Sequence, residues 1–292
     1  DLGSWDSVWL QCARSASGVV TSGAMAGTTH TGADGTYYLA LDPLGTPVLA
    51  YLDGSRHGGA DIAERGNAVA TTTVDATGSH ATGLDIDAGW VRAWTGLGLL
   101  SDVENDLLAA ALGDVEDPAI LFEIEDGLAL DPGVGFRLEA SQDFTIDTVL
   151  AATGPVWILG AGDLAIGAAG SISTTAAGTG IVLSAAGDFH NLAGAGALST
   201  PNGRWLVYSS HPDDDTFGGL DSANTALWNA TFETLAPGDV EATGNRYLFA
   251  HQPTLTFAST DETKTYGDLA DLDAAYEVTG YMAGVDGAFL GD

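Results

Sequence analysis

Residues 154–210 read GPVWILGAGDLAIGAAGSISTTAAGTGIVLSAAGDFHNLAGAGALSTPNGRWLVYSS, and their pattern decides the fold. Three short apolar runs stand in this stretch: Val156–Leu159, Ile181–Leu183 and Trp205–Tyr208. Their centres, Ile158, Val182 and Leu206, recur at steps of 24. Ala-Gly-Asp follows the first run at Ala161–Asp163 and the second at Ala186–Asp188, a step of 25. Self-similarity at roughly 20–30 residues marks a solenoid. Each run has strand length and is too glycine-interrupted for a helix. One turn of such a chain cannot bury its own apolar side, so the turns gain stability only as a stack. The stretch is therefore expected to be parallel β-helix, with Ile158, Val182 and Leu206 in one column. An antiparallel sandwich with similar strand spacing is the alternative.

Outward from this stretch, residues 118–150 keep the strand pattern, with Phe122, Ile124, Leu128, Leu130, Phe136, Leu138, Phe144 and Ile146 alternating with polar neighbours. No linker separates them from the repeat, so the shaft is expected over 118–252. Trp205, Tyr208, Phe217, Trp228, Phe232, Tyr247 and Phe249 crowd its far end. Large rings there fit a layer that closes the stack against edge pairing; a sugar-stacking platform is the rival reading. Residues 1–117 read as an irregular β region that joins the solenoid. Tyr37–Leu41 and Val48–Leu52 are expected to flank a turn. A short helix is expected within Leu97–Leu112, capped by Ser101. From Pro253 to Asp292 the pattern changes to that of the opening strands of a sandwich.

Composition narrows the function classes. The chain has 292 residues, 40 of them glycine, and 40 acidic against 8 basic residues, for a net charge of −32. Such a surface repels nucleic acid and anionic lipid and attracts cations. There is no apolar stretch long enough for a membrane-spanning helix, and membrane insertion is not expected. Cys12 is the single cysteine, so neither an internal disulfide nor a zinc-type cysteine spacing exists. The chain opens on Asp1 without a signal peptide, which is expected of a processed product or a piece of something longer.

Chemistry-bearing motifs are absent: no nucleophile elbow, phosphate loop, H-E-x-x-H or dinucleotide fingerprint occurs. Gly160–Gly167 is glycine-rich but lacks the basic residue and helix of a phosphate cradle. The six histidines, at 30, 57, 80, 190, 211 and 251, have no metal spacing. The densest acidic clusters are Asp213-Asp214-Asp215 and Glu123/Glu125/Asp126, and Asp213, Asp214 and Asp215 are the candidate Ca²⁺ ligands; a solvated turn is the bland reading, because the D-x-D-x-D-G loop is missing. No catalytic residue and no other cofactor is expected. Paired carboxylates would suit a polysaccharide-active β-helical enzyme, but so few cations are poorly matched to acidic sugars.

Two segments carry a family resemblance. GRWLVYSSHP with FGGLD, within Gly203–Asp221, and NRYLFAHQPTLTF, Asn245–Phe257, resemble the end of the β-helical shaft in filamentous haemagglutinin-like adhesins, the two-partner-secretion exoproteins of Gram-negative bacteria. K-T-Y-G at Lys264–Gly267, with YEVTGYMAG at Tyr276–Gly284, resembles the bacterial Ig-like repeats that follow such shafts. The resemblance implies a parallel β-helix followed by an incomplete Ig-like module over 253–292. It also implies a non-enzymatic, structural or adhesive role at the surface of a Gram-negative bacterium or outside it. The partners expected are further copies of the chain in a fibre, and host or neighbouring-cell surfaces or glycans. A filament subunit joined by strand complementation is the second reading, and the polysaccharide-active enzyme is the third.

Overall fold

The structure is a computed structural model that describes residues 7–16, 19–30, 47–52, 68–73, 90–104, 122–124, 128–130, 133–259, 261, 265–269, 276–282 and 284–291. The Tyr37–Leu41 segment and residues 105–112 of the expected helix lie outside the described residues. In chain order the strands are β1 (Ser7–Ala16), β2 (Val19–His30), β3 (Pro47–Leu52), β4 (Ala68–Thr73), β5 (Trp90–Thr95), β6 (Phe122–Ile124), β7 (Leu128–Leu130), β8 (Gly135–Ala140), β9 (Phe144–Ile146) and β10 (Val149–Ala152). They continue with β11 (Val156–Gly160), β12 (Leu164–Ile166), β13 (Ser171–Thr174), β14 (Gly178–Ala185), β15 (Phe189–Asn191), β16 (Leu198–Ser199), β17 (Gly203–Ser209), β18 (Leu227–Trp228), β19 (Arg246–Phe249), β20 (Thr256–Ser259) and β21 (Tyr276–Thr279).

The protein is all-β and its sheets are mostly parallel. From β8 to β17 the chain visits three sheets in rotation. β8, β11, β14 and β17 are consecutive neighbours in an 11-stranded sheet; β9, β12 and β15 form a second; β10, β13 and β16 belong to a third. Short arcs of small residues connect them. Each circuit thus lies directly on the one before, and each strand pairs with its counterpart one circuit away.

Side chains alternate along each strand, so one set enters the space between the sheets. In the first sheet Ala93, Leu138, Ile158, Leu183, Val207 and Tyr247 follow one another as register partners. Val91, Phe136, Val156, Ile181 and Trp205 make a second inward column. Phe144, Leu164 and Phe189 face them from the second sheet, and Leu150, Ile172 and Leu198 from the third. All belong to one buried cluster. Burying each large side chain is worth about 1.5–3 kcal/mol, so the stack is held by its columns rather than by any single circuit.

Ile158, Val182 and Leu206 do not share a column. Ile158 pairs with Leu183, while Val182 lies between Trp157 and Leu206 on the opposite face of the same sheet. The reason is a change of step. The circuit from Ile158 to Leu183 takes 25 residues. The next begins at 25, with Gly178 opposite Gly203, and drops to 24 past an irregularity between Thr179 and Ile181. A one-residue slip turns every side chain over.

Over β14, β17 and β19 the outer face of the first sheet is apolar, and a second layer covers it there. Val182, Leu206, Tyr208 and Leu248 pack under Ala230 and Val240, with Phe232 and Leu235 beside them. Arg204 fastens this cover: its guanidinium donates to the carbonyls of Val240 (2.9 Å) and Ala242, and to the Thr179 hydroxyl (2.9 Å).

The two ends differ from the middle. At the near end β1, β2 and β3 extend the first sheet with antiparallel pairing, and parallel pairing begins between β4 and β5. The helix that follows β5 is present over residues 100–104. Its cap is not the Ser101 side chain turned on its own helix. The Asp147 carboxylate, from the arc after β9, accepts the Ser101 N–H (3.0 Å) and hydroxyl (2.6 Å). Those bonds hold the Asp147 carboxyl below the ordinary range, against the burial that raises it. At the far end Phe217, Tyr247, Phe249 and Phe289 pack ring on ring. Phe289 is 3% exposed. Residues 284–290, grouped by sequence with the segment that starts at Pro253, therefore lie against the end of the stack. β20 and β21 pair antiparallel as a hairpin that stands in solvent.

Candidate functional site

Asp213, Asp214 and Asp215 sit in the turn after β17, and their carboxylates do not converge. Asp215 is buried, and both of its oxygens serve the fold: one accepts the Phe189 N–H (2.7 Å), the other the Ser209 hydroxyl (2.5 Å). Burial pushes its carboxyl up to about 7, the two hydrogen bonds opposing and the charges of Asp188 and Asp214 assisting. Asp213 faces outward, with its N–H donating to His211 Nδ1 (3.1 Å). In this turn Asp215 is the buried acid, and Asp213 and Asp214 are exposed.

The carboxylates that do come together belong to the Ala-Gly-Asp repeat. Asp143 Oδ1 accepts the Asp163 N–H (2.9 Å), and Asp163 Oδ1 accepts the Asp188 N–H (2.9 Å). Asp188 Oδ1 in turn accepts the Ser210 hydroxyl (2.5 Å). This ladder climbs the corner between the first and second sheets. It explains the preceding glycines: a Cβ at Gly162 or Gly187 would collide with the carboxylate below, from Asp143 and Asp163 respectively. Asp188 and His190 flank the buried Phe189, so both point outward. One ligand atom each from Asp163, Asp188 and His190 can be chosen so that all lie within 4.8 Å of one another. Histidine spacing along the chain does not reveal this group, because Asp163 comes from the circuit below. The readable signal was the repeated Asp with a histidine two residues after its second copy.

Other rings and charges are arranged for packing. Of the seven rings at the far end, Trp205, Tyr208, Phe217, Tyr247 and Phe249 are buried and offer no platform for a sugar, while Trp228 and Phe232 are half-buried against Phe249 and Tyr208. On the outer face Trp90 meets Trp157 edge-on (5.1 Å between centroids), and Arg137 lies 6.0 Å above the Trp157 ring. Glu139 accepts from Arg92 and pairs with Arg137, each at 2.8 Å. Beside them a cleft of 460 Å³ runs between the first sheet and the covering segment, with Glu139, Tyr208, Phe232 and Glu233 among its walls. His211 and His251 touch ring to ring at 4.0 Å. Tyr266 stands free of the core in an exposed turn. Among the described residues no helix is long and apolar enough to cross a membrane. Compared with family models, with curated proteins and with solved structures, the chain matches none.

Proposed function

We propose that this protein is a parallel β-helical rod leading into an Ig-like module, and that it is a non-enzymatic, structural or adhesive segment of a secreted bacterial surface protein. The observation that carries the reading is the rotation of β8–β17 through three sheets with partners held in register, circuit upon circuit. A rod of this kind has length and stiffness, and its inward columns pack into one buried cluster. Its net charge of −32 keeps the outer surface solvated. The setting is extracellular or cell-surface, as in the Gram-negative adhesins that Gly203–Phe257 resembles, and the partners are cell surfaces or their glycans.

A second reading has its own observation. Every residue of β20 is exposed, and among the described residues it pairs with β21 alone. An isolated two-stranded hairpin is marginal in water, and its open edges are templates for a further strand. Strand complementation between copies would then join rods into a filament.

One pair of measurements separates the readings. The purified chain is applied to glycan arrays and to cultured cells, and examined by electron microscopy. Saturable surface binding by single rods, with no release of sugar products, is the expected result. End-to-end filaments without binding favour the second reading. Sugar cleavage or elimination that stops on replacing a wall residue of the cleft, such as Glu139, overturns both.

A further inference from the structure

We propose that Asp163, Asp188 and His190 bind a first-row divalent metal ion of the Zn²⁺ type, and that the ion ties two successive circuits together.

The three side chains are brought together by the repeat itself. Asp188 and His190 are two residues apart on one strand edge and leave on the same side. Leu164 is paired with Phe189 and Ala165 with His190, so Asp163 occupies the place of Asp188 one circuit below. Adjacent strands are about 4.8 Å apart, close enough for side chains on successive circuits to share an ion, and one ligand atom of each of the three lies within 4.8 Å of the others. Ala165, beneath His190, contributes only a methyl group to the outer surface.

The carboxylates are also held ready. Oδ1 of each is occupied, by the Asp188 N–H in one case and the Ser210 hydroxyl in the other. That fixes the carboxylate planes, and among the described residues no hydrogen bond is made to Oδ2 of either. No described residue hydrogen-bonds the His190 ring. Two like charges one rung apart repel, and a cation between them removes the repulsion. An imidazole nitrogen with two carboxylate oxygens suits Zn²⁺ and its neighbours, with open positions for water. Ca²⁺ prefers six to eight oxygens and is less well served. The surplus of acidic over basic residues raises cation concentration near the whole surface.

The full chain, stripped of metal, is titrated with Zn²⁺ by calorimetry, and its thermal unfolding is followed in parallel. One tight equivalent per chain and a raised Tm are expected. His190→Ala is expected to weaken that binding at least about tenfold and to cancel the Tm rise. Asp163→Asn is the second variant: the amide oxygen can still accept the Asp188 N–H, so the ladder survives while the charged ligand is lost. It too is expected to lose the tight equivalent while keeping the parent's circular dichroism. His211→Ala and His251→Ala are expected to bind as the parent does. Equal tight binding by His190→Ala overturns the proposal. So does binding of several weak equivalents with no shift in Tm, which is the behaviour of a diffuse counterion.

Discussion

Asp163 and Asp188 are joined across one circuit of the chain, the carboxylate of the first accepting the main-chain N–H of the second at 2.9 Å. The same relation links Asp143 to Asp163. A repeated acid thus serves as the corner brace of the stack, and the glycine before it is a steric requirement of the brace.

That requirement can be measured. Gly187→Ala places a methyl group against Asp163 Oδ1. It is expected to lower the unfolding free energy by about 1–3 kcal/mol. In an Asp163→Ala background the methyl has room, and the penalty of Gly187→Ala is expected to shrink. A double-mutant cycle by guanidinium unfolding reads the coupling directly.

Inward and outward leucines should behave differently. Leu183 is fully buried between Ile158 and Val207. Leu183→Ala is expected to cost about 2–5 kcal/mol. Leu192 is 61% exposed in the arc beyond β15, and Leu192→Ala is expected to stay within about 0.5 kcal/mol of the parent. Equal effects in chemical denaturation would contradict the columns.

Asp215 gives the fold a pH dependence. Its carboxyl titrates at about 7 when folded, against 3.8 for the free group. Folding therefore favours the protonated acid. Its contribution is fully present below pH 3.8 and is lost as pH rises through about 7. In metal-free buffer, Tm is expected to fall between about pH 4 and pH 7, with Asp188 and Asp214 as the charges that face it. Asp215→Asn is expected to flatten that part of the profile. A parent profile already flat there would contradict the burial of Asp215.

Arg204 should hold the covering layer. Its removal frees the carbonyls of Val240 and Ala242. Arg204→Ala is expected to raise amide hydrogen exchange and protease cleavage over residues 236–243, while exchange in β11 and β14 stays slow. Uniform acceleration throughout would mean that the cover and the stack unfold together.

How much of this was legible follows from the physics of particular residues. The repeat was visible because Gly187 and Asp188 restate Gly162 and Asp163, and the brace demands both members of each pair. The register was not visible. Trp157, Val182 and Leu206 are as apolar as Ile158, Leu183 and Val207, because the segment around Ala230 and Val240 buries Val182 and Leu206 on the outer face and half-buries Trp157. With both faces apolar, alternation carries no sign of direction, and the centre of each run was a poor marker. The helix cap was hidden for another reason: Asp147 lies 46 residues from Ser101, and no local pattern encodes that pairing. The metal triad was half legible, as a histidine two residues beyond a repeated Asp, but its third member needed the circuit below. The ring of Phe289 reaching the far end of the stack had no counterpart in sequence pattern at all.

The stacking itself is tested most directly by methyl NMR on the chain labelled at Ile, Leu and Val. Cross-relaxation is predicted from Leu183 to both Ile158 and Val207, and separately from Val182 to Leu206, with none between Ile158 and Val182. Cross-peaks linking Ile158 to Val182, or an absence of any between Leu183 and its two partners, would contradict the account.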